Sequence, residues 1–142
     1  MNVKELLESK GHEVISLEAD HTVEAAVKVM TGRKISAVLV TKNSKPVGIF
    51  TERDVLRSYA QEGPKFNTVP LERVMTADVI VAEPDEDLCN VMSVMIEKGI
   101  RHMPVSEKGR IVGMLSIRDV VKTQVGNMKT EIHHLKDYLS GI

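Results

Sequence analysis

The chain has 142 residues, with 19 basic and 20 acidic side chains, two Phe, two Tyr and no Trp. This length suits one compact module or two small lobes, and the balanced charge with few aromatic rings argues against nucleic acid binding. Apolar runs such as AVLV at residues 37–40 are too short to span a bilayer, and the N-terminal residues lack an export pattern. We therefore expect a cytoplasmic protein that binds neither membrane nor nucleic acid.

A repeat organises the chain. A shift of 65 positions aligns residues 14–55 with residues 79–120 without a gap, and 13 of the 42 aligned positions are identical. Matching at this density along one fixed offset indicates a duplicated unit. We call residues 14–55 the first copy and residues 79–120 the second copy.

Each copy predicts the order strand, helix, strand, strand, helix. The initial strands are EVISL at residues 13–17 and DVIVA at residues 78–82. Helical spacing of apolar residues follows at Val23, Ala26, Val27 and Met30, and again at Leu88, Val91, Met92 and Met95. The N-cap candidates are Asp20 or Thr22 in the first copy and Asp85 or Asp87 in the second. Two short strands joined by a tight turn come next, and Thr51 and Ser116 open the final helices.

Three short strands cannot bury both faces of a sheet alone. We therefore expect an α+β fold, a sandwich of α/β type, in which two β-α-β-β-α repeats pack sheet to sheet with pseudo-twofold symmetry as one compact module. The expected boundaries are residues 1–63 for repeat 1, 64–77 for a connector, 78–123 for repeat 2 and 124–142 for a C-terminal helical extension.

Each copy carries the same candidate site residues at the end of its last strand. Gly48 and Gly113 predict a bulge or a close approach to the backbone. Thr51 or Ser116 then supplies a hydroxyl at the start of a helix, and Asp54 or Asp119 follows three residues later. These pairs are either capping boxes or, where a cleft lies beside them, a carboxylate for ribose hydroxyls next to helix N–H groups suited to phosphate.

Basic residues adjoin both acids. Arg53 and Arg118 directly precede Asp54 and Asp119, and Arg101 and His102 stand at the edge of the second predicted sheet. Arginine suits phosphate, but a lone arginine also suits a solvated surface. His102 is alternatively a partly buried histidine bonded to backbone. Nucleoside phosphates fit the combination.

The motifs GIFTERD, GMLSIRD, GIRHMPV and ERVMTADVIVAEPDEDL, in order and duplicated, resemble a tandem pair of CBS (cystathionine-β-synthase-type) domains, the Bateman module. The resemblance spans residues 3–123 and is to stand-alone members of that family. It implies two clefts between the repeats that bind adenine-containing ligands. AMP is the first expectation, with ATP, NAD(H) and S-adenosylmethionine as alternatives.

The resemblance also implies roles for individual residues. Asp54 and Asp119 would hold ribose hydroxyls, and the backbone around Ile35, Ser36 and Ala37 would line an adenine slot opposite Asp119. The residues implied near phosphate are Thr51, Arg101, His102, Ser116 and Arg118, and Arg53 is a further candidate for ligand binding. The first copy has Ser36-Ala37 where the second has Arg101-His102, so we expect the two clefts to differ.

The C-terminal segment carries a heptad seam at Val121, Val125, Met128, Ile132, Leu135 and Leu139. This seam either packs on its own module or joins a homodimer, which the resemblance favours. His133, His134 and Asp137 are too few for a metal site, and the chain has no loop or elbow typical of an enzyme.

We therefore expect a regulatory, energy-sensing protein without catalytic activity, which acts as a homodimer on an unknown target protein. The alternative is a ligand-free structural adaptor that acts through its dimer face and C-terminal helix.

Overall fold

A computed structural model describes residues 1–140, and their contacts divide the chain into two units. Residues Glu13–Ile80 form one, which we call the first-copy unit. Met1–His12 join the residues from Val81 onward in the other, the second-copy unit. The segment that opens the chain thus belongs with the second copy.

The first-copy unit contains a mixed sheet and its helices. Its elements are β1 (Ser16–Glu18), α2 (Val23–Arg33), β2 (Ala37–Lys42), β3 (Lys45–Thr51), α3 (Glu52–Glu62), a 3-10 helix (Gly63–Thr68) and α4 (Leu71–Val74). Strand β1 is parallel to β2, and β2 is antiparallel to β3. The β2–β3 turn places Asn43 and Ser44 at positive φ, as a two-residue hairpin turn requires.

The second-copy unit contains a two-stranded sheet. Its elements are α1 (Val3–Lys10), α5 (Leu88–Lys98), β4 (His102–Glu107), β5 (Arg110–Ser116) and α6 (Ile117–Leu139). Strands β4 and β5 are antiparallel, with Lys108 and Gly109 at positive φ in their turn. The expected strand at residues 78–82 is reduced to one parallel bridge between Ala82 and Val105.

Pro104 gives a physical reason for this difference between the copies. In the first copy, the Leu39 N–H donates to the Ile15 carbonyl at 2.9 Å, which ties β1 to β2. Pro104 stands at the matching position and has no N–H to donate to Ile80. The bonds on either side of Ala82 remain, from its N–H to the Pro104 carbonyl and from the Ser106 N–H to its own carbonyl.

The helix ends follow the duplication. Thr22 caps α2 and Asp87 caps α5, which are the later of the two candidates predicted for each helix. Lys34 and Gly99 end the same helices in the left-handed conformation. Equivalent positions in the two copies therefore start and stop their helices in the same way.

Each unit has its own hydrophobic core. The predicted helical stripes face inward, with Val23, Ala26 and Met30 buried in one unit and Leu88, Val91 and Met95 in the other. Phe50 of β3 and Leu115 of β5 are fully buried at matching positions. The α+β fold class is confirmed. Within residues 1–140, no helix has the length and apolar content needed to cross a membrane.

Candidate functional site

Gly48 and Gly113 each lie beside a β-bulge and are each approached closely by another segment of the chain, so both predictions for these residues are confirmed. The strand register shifts beside each glycine, at Val40/Thr41 and at Val105/Ser106. A Cβ on Gly48 would lie 2.7 Å from the Met75 sulfur and from the Thr76 carbonyl oxygen. A Cβ on Gly113 would lie 2.6 Å from a Leu7 methyl group. Glycine at both positions therefore lets these segments approach the strands closely.

Asp54 is the buried member of the acidic pair, with 1% of its surface exposed. Its carboxylate accepts the Thr51 N–H at 3.0 Å, the Thr76 hydroxyl at 3.1 Å and an Arg57 guanidinium N–H at 3.1 Å. The Asp54 N–H in turn donates to the Thr51 hydroxyl, which completes a capping box. In this structure the carboxylate is fully engaged by its own unit.

Asp119 differs from Asp54 in both exposure and partners. Its side chain is 36% exposed and lies 2.8 Å from the ammonium of Lys10, which comes from α1. The Asp119 N–H donates to the Ser116 hydroxyl at 3.1 Å, so Ser116 caps α6. One flexible lysine side chain therefore covers this carboxylate.

The charges around Asp119 keep it ionised. Burial raises the pKa of this carboxyl, but hydrogen bonds from Lys10 and Ser116 and the positive charges of Lys10 and Lys122 outweigh it. The pKa of Asp119 therefore lies below its ordinary value. A charged carboxylate is the form that accepts hydrogen bonds from hydroxyl groups.

The sheet edges position the remaining predicted residues of each copy. Ala37 pairs with Thr51 across β2 and β3, and the Ser36 carbonyl accepts the Glu52 N–H at 3.1 Å. The Ile35 N–H donates to the Met30 carbonyl. The structure thus brings Ile35, Ser36, Ala37, Thr51, Arg53 and Asp54 together at one end of the first-copy sheet.

The second copy repeats this arrangement with different side chains. His102 pairs with Ser116, and the Arg101 carbonyl accepts the Ile117 N–H at 2.8 Å. Arg101 and Arg118 are exposed, and His102 is half-buried. Arg101, His102, Ser116, Arg118 and Asp119 therefore gather at the matching end of the second-copy sheet, where the α6 N-terminus adds partial positive charge.

Sequence reasoning missed Lys10, Thr76 and Arg57 as partners of the two acids. Lys10 and Thr76 lie far from those acids in the chain and outside the aligned copies, so no local pattern pointed to them. Arg57 is three residues after Asp54, and that spacing on a helix was the one available signal. Among residues 1–140, no group of three or more His, Cys, Asp or Glu side chains could hold a metal ion.

The CBS domain model matches residues 3–61 and 71–126, which are the two copies with their preceding helices. The chain belongs to the CBS-domain family. The family expected from the motifs is thereby confirmed. The matched residues include every predicted site residue.

The relatives extend this assignment. The chain is 31% identical to the mitochondrial CBS domain-containing protein CBSX3 of Arabidopsis thaliana, over 98% of this chain and 72% of that protein. It is also similar to the CBS-domain protein ATU1752 of Agrobacterium tumefaciens, with 34% identity, a TM-score of 0.84 and coverage of 87% of this chain and 99% of that one.

A second solved structure carries ligands. The CBS domain pair of protein MJ0100 was crystallised with 5′-methylthioadenosine and S-adenosyl-L-methionine. It is 26% identical to this chain, with a TM-score of 0.77, and the match covers 89% of this chain and 98% of that one. This neighbour therefore binds adenine-containing ligands.

Proposed function

We propose that this CBS-domain protein is a non-catalytic regulatory sensor that binds an adenine-containing ligand, with Asp119 as the main ribose acceptor. Arg101, His102, Ser116 and Arg118 lie near the ligand's phosphate or other polar tail. AMP is the first candidate ligand, followed by ATP, NAD(H) and S-adenosylmethionine.

The observation that carries this proposal is the state of the Asp119 carboxylate. It is ionised, partly exposed and covered by a single lysine. A ribose offers two neighbouring hydroxyl donors to such a carboxylate, and the freed Lys10 ammonium can then turn toward an anionic group. The ligands of the MJ0100 domain pair, both of which contain a ribose, give independent support.

We propose that Asp54 contributes less than Asp119 to ligand binding. A ribose hydroxyl at Asp54 would have to replace bonds from Thr76 or Arg57 inside a buried site. Such an exchange gains little, because the new bond would only replace bonds that the buried Asp54 carboxylate already accepts. Thr51 and Arg53 stay proposed contacts for a second or weaker ligand, whereas the backbone at Ile35, Ser36 and Ala37 stays the proposed adenine slot for the ligand of Asp119.

Regulation follows if the ligand favours one conformation. A ligand shifts a conformational equilibrium only by its difference in affinity for the two states. We propose that displacement of Lys10 from Asp119 is the local change, because it loosens the end of α1 from the start of α6 within the second-copy unit. The regulated target is another protein, and the cytoplasmic location and homodimeric state stay part of this proposal.

Thermal melting with AMP, ADP, ATP, NAD, NADH and S-adenosylmethionine tests the function. A ligand at a hundred times its Kd stabilises the protein by about 2.7 kcal/mol. Asp119→Asn is expected to abolish the shift, because the amide loses the charge and one acceptor. Asp85→Asn, a change at an exposed position of the same copy, is the matched control and should keep it. The proposal fails if no ligand shifts the melt or if Asp119→Asn leaves the shift intact.

A structural adaptor is the second candidate function, and the exposed apolar seam on α6 favours it. Removal of residues 124–142 separates the two functions. A sensor keeps its ligand-induced stabilisation without this segment, whereas an adaptor loses its partner and shows no ligand response in either form.

A further inference from the structure

We infer that α6 is a self-association surface, on which a second copy of this chain packs as a parallel two-stranded coiled coil. The inference rests on the homodimer proposed above and names its surface and orientation. It is independent of the ligand.

The first observation is that the apolar seam on the C-terminal part of α6 stays exposed among the described residues 1–140. Residues 125–140 are exposed on every side, and the seam residues Val125, Met128, Ile132 and Leu135 are 43%, 60%, 51% and 59% exposed. An isolated helix of this length that contains Gly126 is marginal in water. A partner for the apolar seam would stabilise it.

The second observation is the spacing of the seam, which fixes the heptad positions. The steps between successive apolar residues are 4, 3, 4, 3 and 4. Only one assignment satisfies them: Val125, Ile132 and Leu139 at position a, and Val121, Met128 and Leu135 at position d. The seam spans about 27 Å at 1.5 Å per residue.

The side chains at these positions favour two parallel strands. Two of the three a residues, Val125 and Ile132, are β-branched, whereas two of the three d residues, Met128 and Leu135, are not, with Val121 as the exception. β-Branched residues at a with unbranched Cβ atoms at d suit the packing of a parallel dimer. A parallel pair in register also places identical residues opposite each other, so one sequence serves both strands.

The charges beside the seam favour the same orientation. Lys122, Lys129 and Lys136 occupy all three e positions, and Glu131 occupies a g position. Within residues 1–140, none of these four side chains is in a salt bridge. In a parallel pair, Glu131 faces Lys136 of the second copy. In an antiparallel pair, the lysine row would face another lysine row, which is repulsive.

The seam lies mostly beyond the family module, because the matched residues end at 126. Four of its six residues, from Met128 to Leu139, follow that boundary. The self-association surface is therefore a property of this chain's extension rather than of the CBS domains.

Sedimentation equilibrium of the full chain tests the surface. The wild type is expected to be a dimer. Ile132→Asp should weaken dimerisation at least about tenfold, whereas His134→Asp, which adds the same charge at outward position c, should change it little. Both positions are exposed in the single chain, so a matching thermal melt of the module confirms folding.

A charge exchange tests the orientation. Lys136→Glu should weaken a parallel dimer, because it faces Glu131 of the second copy, and adding Glu131→Lys should restore it. In an antiparallel dimer, Lys136→Glu would face Lys122 and strengthen the association. Strengthening by this single change therefore overturns the parallel arrangement.

The oligomeric state and the ligand response of the wild type and of Ile132→Asp distinguish the α6 surface, the homodimer and the sensor function from one another. A monomeric wild type overturns both the homodimer and the surface. A dimer that persists in Ile132→Asp overturns the surface alone. Ligand melts on Ile132→Asp report on the sensor function separately, because Asp119 and its partners are unchanged.

Discussion

The Lys10 ammonium lies 2.8 Å from the Asp119 carboxylate and 2.6 Å from the Met114 carbonyl oxygen, so it joins a helix start to a strand edge. In the first copy, Thr76 joins the equivalent groups: its N–H donates to the Ile49 carbonyl and its hydroxyl to Asp54. Lys10 and Thr76, which come from different parts of the chain, thus bond the equivalent strand carbonyl and helix carboxylate in the two copies. The resulting difference in burial separates the roles of the two acids.

Asp54→Ala is expected to destabilise the protein far more than Asp119→Ala does. The first change leaves Arg57, Thr76 and the Thr51 N–H without their buried acceptor and should cost about 3 kcal/mol or more. The second breaks a partly exposed pair and should cost at most about 1 kcal/mol. Urea unfolding of both variants measures the difference. Equal losses would contradict the contrast in burial.

Lys10→Met is expected to raise the pKa of Asp119 toward its ordinary value, because the charge and hydrogen bond that lower it are removed. Methionine keeps the length of the side chain, and Met75 stands 65 positions later in the sequence. NMR titration of the Asp119 carboxyl group checks this directly. Lys4→Met, a change at an exposed position of the same helix, should leave the titration unchanged.

The stability of the wild type is expected to fall at acidic pH in a way that depends on Asp119. A carboxyl whose pKa is lowered on folding contributes stability that is present above its unfolded pKa, about 3.9. This contribution is lost as the pH falls through the lower folded value. Unfolding free energies of wild type and Asp119→Asn from pH 6 down to pH 3 should therefore converge. A difference that grows toward low pH would contradict this assignment.

Gly48→Ala and Gly113→Ala should both lower stability, but a second substitution at the neighbouring side chain should restore stability more fully at Gly113. The three atoms nearest to a Cβ at Gly113 all belong to the Leu7 side chain, so in a double-mutant cycle Leu7→Ala should relieve part of the cost of Gly113→Ala, about 1–3 kcal/mol. Gly48→Ala also meets the Thr76 backbone oxygen. Met75→Ala should therefore relieve much less at Gly48. Denaturant unfolding of both cycles tests this, and equal rescue would show that the Thr76 backbone moves away.

Most of the local structure could be predicted from the sequence, because the same helix, turn and cap patterns occur at equivalent positions of both copies. The helix stripes, the two hairpin turns and the caps at Thr51 and Ser116 all agree with the structure. These features depend on residues close in sequence, where spacing and turn chemistry act directly.

Contacts between segments that are far apart in the chain could not be predicted from local spacing. The missing N–H of Pro104 does predict an unpaired strand edge, but that the strand before Ala82 is the one shortened depends on where the neighbouring strand lies. The ion pair between Lys10 and Asp119 joins the two separate chain segments of the second-copy unit. Neither residue type nor spacing encodes such a pairing.

The membership of α1 in the second-copy unit has a consequence for folding during synthesis. The first-copy unit is contiguous, so all of its residues have been translated once Ile80 is made. Val3, Leu6 and Leu7 are translated before the first-copy unit, but Leu88, Met103 and Leu115, which cover their apolar faces, are translated after it. Helix α1 therefore precedes the first-copy unit in synthesis but can complete its packing only after that unit has been translated.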